Sequence, residues 1–98
     1  MSFCVYILTN QARTVLYIGV TNNLGRRLYE HGQSLGEVGK FTGLYQCNLL
    51  VYFESCPDAT QAIAREKQLK KWSRAKKESL INSLNPTWEP IDLHTWAG

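Results

Sequence analysis

Two short apolar runs, Phe3 to Leu8 and Leu16 to Val20, stand on either side of the polar segment Thr9-Asn10-Gln11-Ala12-Arg13-Thr14. Runs of that length, rich in β-branched and aromatic residues and joined across so few positions, pair most simply as a β-hairpin. A hairpin needs a further strand and a covering layer, and the rest of the chain supplies both. Thr21 or Asn22 is placed to cap a helix from about Asn23 to His31, which Gly32 can end. Gln33 to Thr42, with Gly36 and Gly39, reads as a loop. Leu49 to Phe53 is a third strand, ended by Ser55-Cys56-Pro57. Asp58 with Gln61 then opens a helix running to about Trp72, and Ser73 caps another that extends to about Leu84, where Asn85-Pro86 stops it. The tail from Thr87 is expected to be irregular and packed by Trp88 and Trp96. The expected fold is α/β of the α+β kind: a small three-stranded, mostly antiparallel sheet flanked by helices, in the order β-β-α-β-α-α.

Ninety-eight residues suit one domain spanning 1–98 and leave no room for a separate target-recognition domain; a protein partner could supply targeting, and the sequence leaves that open. Apolar residues are 44% and charged residues 19%, as in ordinary globular proteins. The longest apolar stretch, Asn48 to Phe53, is far short of the ~20 residues that span a bilayer. The start lacks the basic segment and cleavage site of a secretory signal, which points to a cytoplasmic protein without membrane contact. Cys4, Cys47 and Cys56 are odd in number and have neither disulfide nor zinc-ligand spacing, so all three are read as reduced.

Several residues sit where their chemistry is out of place. Leu24, Arg27, Leu28 and His31 form an i, i+3, i+4, i+7 stripe, so an arginine shares the apolar side of its helix while Arg26 points away. A buried guanidinium needs an anionic partner, either a structural carboxylate or a phosphate gripped by its forked donors. Glu66 falls among Ala62, Ile63 and Leu69 on the inner side of its helix, where a carboxylate needs an arginine or a divalent metal. The two charges could simply pair with each other. Tyr6 and Tyr17 can share one sheet face, as packing residues or as paired phenols, and Gly19 beside Tyr17 clears space for the close approach of a backbone or a ligand.

The net charge of +3 hides a concentration: Arg65, Lys67, Lys70, Lys71, Arg74, Lys76 and Lys77 lie within thirteen residues, opposed there only by Glu66. Such a cluster is either a solvated helix face or a surface that meets a polyanion.

Val5-Tyr6-Ile7, Tyr17-Ile18-Gly19, Arg27 and an inward glutamate, taken in that order, resemble the GIY-YIG nuclease family. The chain is most similar to its short stand-alone members, endonucleases that resemble the N-terminal domain of the DNA-repair excinuclease. Leu16-Tyr17-Ile18-Gly19-Val20-Thr21-Asn22, Arg65-Glu66-Lys67-Gln68 with Lys70-Lys71-Trp72, and Asn85-Pro86-Thr87-Trp88 carry the likeness over nearly the whole chain. The resemblance implies that Tyr6 and Tyr17 are the paired catalytic tyrosines, Gly19 the close-approach glycine, Arg27 the phosphate-binding arginine, His31 a site residue and Glu66 the metal ligand. The first motif lacks its name-giving glycine, since Val5 precedes Tyr6. The family's later active-site asparagine is assigned to Asn85 in preference to Asn82.

This set makes chemical sense. Phosphodiester hydrolysis needs an activated water, a counter-charge for the transition state and a proton for the leaving oxygen. One inward carboxylate implies one divalent ion, Mg2+ or Mn2+, that shares its shell with water and phosphate. Tyr6 is the first choice for base, although the reverse assignment to Tyr17 fits equally, and His31 could protonate the leaving group or be structural. Arg26, Gly19, Lys67, Lys70, Lys71, Arg74, Lys76 and Lys77 are the candidate nucleic-acid contacts. DNA, in a repair setting, is preferred to RNA. The competing readings are a nucleic-acid-binding module without turnover, built on the basic helices and aromatic face, and an interaction domain in which Arg27 and Glu66 are a purely structural pair.

Overall fold

The computed structural model describes residues 3–27, 47 and 49–92. His31, the loop read over Gln33 to Thr42, and Trp96 lie outside them.

Three strands form one antiparallel sheet in the order β2-β1-β3: β1 is Phe3–Thr9, β2 Leu16–Thr21 and β3 Leu49–Cys56. Central β1 is the most apolar, with Val5, Tyr6, Ile7 and Leu8 all essentially inaccessible, as a strand covered on both faces must be. Asn10 makes the hairpin connection. Its side-chain oxygen accepts the backbone N–H groups of Thr14 at 2.8 Å and Val15 at 3.1 Å, which replaces ladder partners where the chain reverses. Arg13 takes a left-handed conformation there (φ 58°).

β3 runs three residues past the expected Phe53, because Ser55 and Cys56 still pair with Cys4 and Phe3. The register shifts within it: Ile7 faces Tyr52 but Leu8 faces Leu50, which leaves Val51 as the extra residue of a bulge. Val51 and Tyr52 consequently both join the cluster on one face of the sheet, while Leu50 packs with the other.

Residues 24–27 form a helical turn, α1. Its cap is Asn23, one position beyond the expected Thr21 or Asn22: the Asn23 side chain accepts the backbone N–H of Arg26 at 3.0 Å, and Thr21 instead braces Asn23. After β3 come α2 (Ala59–Lys70), capped by Asp58 through the N–H of Gln61, and α3 (Arg74–Leu84), capped by Ser73 through the N–H of Lys76. The element order is β-β-α-β-α-α as expected.

The sheet separates two clusters. On one face Val5, Ile7, Ile18, Val51 and Tyr52 pack beneath Ala62 and Leu69 of α2 and Ile81 of α3. On the other, Tyr6, Leu8 and Leu50 pack with Leu24 of α1, Cys47 and Ile91. The inner stripe of α2 is narrower than its sequence suggests, for Ile63 is 45% exposed. Ala62 and Leu69 alone touch bottom, and Ile63 lies about 100° round the helix from Ala62. The three cysteines are free thiols. Among the described residues no helix is long and apolar enough to cross a membrane.

Candidate active site

Strand pairing sets Tyr6 directly opposite Gly19 and Leu8 opposite Tyr17, so the two tyrosines are diagonal neighbours on one face. Their ring centroids are 6.3 Å apart with planes tilted by 39°. The tyrosines differ in access. Tyr6 is 1% exposed, whereas Tyr17 on edge strand β2 is half-buried. Gly19 serves this pair: a β-carbon there would stand 2.5 Å from the Tyr6 phenol oxygen, so the approach that the glycine permits is that of the Tyr6 ring.

α1 follows β2 directly. Thr21, Asn22, Asn23, Arg26 and Arg27 line a small polar hollow of about 100 Å³ at its start. Arg27 is exposed, as is Arg26, while Leu24 is the buried member of the first turn. The expectation that Arg27 lies on a core-facing stripe is therefore corrected. In the first turn only Leu24 reaches the sheet, and the arginine stands at the rim.

Glu66 comes from the opposite face of the sheet. Its side chain is 21% exposed and forms an i, i+4 ion pair with Lys70 at 3.6 Å. The direction it takes follows from its neighbour. Arg65 reaches β3, donating to both carboxylate oxygens of Glu54 at 2.9 and 3.3 Å. Glu66, about 100° further round the helix, flanks the other side of the Ala62–Leu69 stripe. Tyr17 and the α1 hollow thus lie along β2 and its end, with Tyr6 packed against Tyr17, while Glu66 stands on α2 across the sheet.

The basic cluster divides in this structure. Arg65 is held by Glu54, lies over the Trp72 ring at 5.2 Å and donates to Gln68. Arg74 pairs with Glu78 at 2.8 Å and donates to the hairpin carbonyls of Thr14 and Arg13 at 2.9 and 3.0 Å, which fastens α3 to the β1–β2 connection. Lys76 sits 4.4 Å over Trp72. Lys67 and Lys71 are exposed on the outer side of α2.

Asn85 is buried, and its amide nitrogen donates to the carbonyls of Val51 at 3.2 Å and Glu89 at 2.8 Å. It ties the end of α3 to β3. Asn82 accepts the indole N–H of Trp88 at 2.6 Å.

One network escaped the sequence reading. The Tyr52 phenol donates to Glu54 at 2.6 Å beside the Glu54–Arg65 pair. Burial first, then the bond to Glu54, pushes the Tyr52 pKa well above the usual phenol range, and the bond to Glu54 raises that of Arg65 despite its partial burial. Burial also raises Cys47 and Cys56. The sequence signal was Glu54, the lone acid closing an apolar strand.

Comparison with known proteins bears on the family and the fold. The model of the GIY-YIG catalytic domain matches residues 2–79. The chain belongs to the GIY-YIG family. A UPF0213 protein of Desulfotalea psychrophila is 35% identical over 93 residues, covering 95% of this chain and 83% of that protein. One from Syntrophus aciditrophicus is 41% identical over 83 residues, covering 84% and 91%. The solution NMR structure of a UPF0213 protein from Bacillus halodurans matches with a TM-score of 0.56 and 26% identity, over 99% of this chain and all of that one. The GIY-YIG domain is generally a nuclease that uses a divalent metal, so membership carries a nucleic-acid substrate with it.

Proposed function

We propose that this GIY-YIG domain is a metal-dependent endonuclease, acting on DNA, whose site is assembled around the β2 edge from Tyr17, Arg27 and Glu66 with Tyr6 behind them. The supporting observation is the tyrosine pair seated across Gly19 on the strand that leads into α1, whose first turn carries Arg27.

The donor set suits a hard divalent ion. Glu66 is accessible, and its bond to Lys70 is the weak kind found between exposed helix neighbours, so a cation can displace it. Among the described residues no group of three or more His, Cys, Asp or Glu comes together. One carboxylate fits Mg2+ or Mn2+ shared with substrate phosphate better than a closed cage. Bound there, such an ion would polarise the phosphoryl oxygens.

The remaining steps fall to side chains. Arg27, at the rim of the α1 hollow, offers a forked set of donors to the charge that builds on the scissile phosphate. Exposure reverses the initial preference between the tyrosines. Tyr17 can meet an attacking water, while Tyr6 is enclosed and holds the Tyr17 ring in place. Lys67 and Lys71 lie next to Glu66 along α2 and attract the phosphate backbone.

The test is Glu66→Gln, which keeps the shape and loses the charge. Metal-dependent cleavage should fall on the order of a hundredfold or more with an unchanged melting temperature. Full activity in that variant would remove Glu66 from the mechanism, and a binding module without turnover would show no metal-dependent cleavage in the parent protein.

A further inference from the structure

The flank of α2 that carries Glu66 changes character along its length. Past Glu66 it carries Lys70, with Lys67 and Lys71 beside it on the outer side, whereas before it stand Ala59 and Ile63. Ile63, at 45% exposure, is the one large apolar side chain so exposed among the described residues. It is i−3 to Glu66 and i−4 to Lys67, which makes all three surface neighbours. A lone exposed apolar residue is ordinary in itself. Its place is what informs, since the lysine row stops where this side chain begins. Helix propensity does not favour it either, because a β-branched residue loses rotamer freedom in a helix where Lys, Glu or Ala would not.

A phosphate laid against Ile63 would lose water and gain no donor. A nucleobase turned out of its stack would instead bury apolar surface there, as isoleucine and similar wedges do when they separate base steps. We propose that Ile63 is a substrate-contact residue that receives an unstacked base beside the scissile phosphate, so that the preferred substrate is nucleic acid with an unpaired or splayed strand on that side. Lys67 and Lys71 hold backbone phosphates on the other. This inference rests on the nuclease reading above and assigns the substrate class of that same site.

The experiment is a binding comparison in the Glu66→Gln background, where turnover cannot interfere. Two DNA probes of equal length and charge are used, one fully paired and one with a splayed end. The Glu66→Gln protein should bind the splayed probe more tightly. Ile63→Ala and Ile63→Gln should each reduce that preference roughly fivefold, the scale of losing a half-exposed isoleucine's apolar contact, and Ile63→Leu should retain it. Alanine is the stronger helix former, so its loss of preference cannot come from an unfolded helix. An equal preference in Ile63→Ala and its parent, or no preference in the parent, overturns the inference. Failure of the nuclease reading is a separate result, seen as the absence of metal-dependent cleavage by the unmutated protein whatever the binding ratio.

Discussion

Gly19 and Tyr6 occupy one volume: the place of a β-carbon on Gly19 is 2.5 Å from the Tyr6 phenol oxygen and 2.6 Å from the carbon that bears it. The cross-strand pairing of these two residues makes the overlap unavoidable, and the Tyr6 ring is too enclosed to swing clear. Gly19→Ala should therefore lower stability by about 1–3 kcal/mol, the usual cost of overpacking, and shift the Tyr17 ring that leans on Tyr6. In a Tyr6→Ala background the same substitution should cost less by about 1 kcal/mol or more, a coupling read from denaturant unfolding of the four proteins of the cycle. Strictly additive effects would mean that Gly19 makes room for something other than Tyr6.

The tyrosines are separable by their access. Tyr17→Phe should lower the cleavage rate roughly a hundredfold, since a positioned proton acceptor is worth that much, with the melting temperature little changed. Tyr6→Phe keeps the ring that supports Tyr17 and should cost less than Tyr17→Phe. Single-turnover rates at saturating metal decide this, and the opposite order would return the base to Tyr6.

Much of this was legible in the sequence because each strand and both long helices carry local punctuation. Asp58 and Ser73 cap where their side chains suggest, and Asn85 ends α3. The apolar alternation of Tyr6 with Leu8 placed both on one face. What stayed hidden depends on contacts distant along the chain. The bulge at Val51 arises from pairing with β1, and it turns Tyr52 toward Glu54 and Arg65. Helical periodicity alone placed Ile63 inside, yet a helix resting on a narrow sheet buries only Ala62 and Leu69. For the same reason charge clustering could not tell a tethered cation from a solvated one.

Arg74 illustrates the tethered kind. Its bonds to the Arg13 and Thr14 carbonyls span sixty residues of sequence and hold α3 against the hairpin turn. Arg74→Gln should cost about 1 kcal/mol, reduced from the full worth of charged hydrogen bonds by solvent exposure. A thermal melt would register that as a fall of roughly 4–8 °C for a domain of this size. An unchanged melting temperature would release Arg74 to act as a phosphate contact.

Lys67 and Lys71 are the solvated kind, and the last prediction concerns them. They are one turn apart on the outer side of α2, next to the flank that bears Glu66, and both are exposed. Each lysine that neutralises a phosphate releases condensed counterion from the nucleic acid, which makes binding fall with salt. Lys67→Gln with Lys71→Gln should therefore weaken duplex binding at low salt and lower the slope of log affinity against log salt by about 2, or 0.9 for each contact on B-form DNA. Sequence preference should not move. Arg74→Gln is the control: it removes one positive charge from a side chain bound to carbonyls, so it should reduce stability while leaving the slope nearly intact. The measurement is made on Glu66→Gln protein at several salt concentrations. If the double lysine variant keeps the parent slope while Arg74→Gln lowers it, the outer row of α2 is only a solvated face, and the backbone must approach along α3 and the hairpin turn instead.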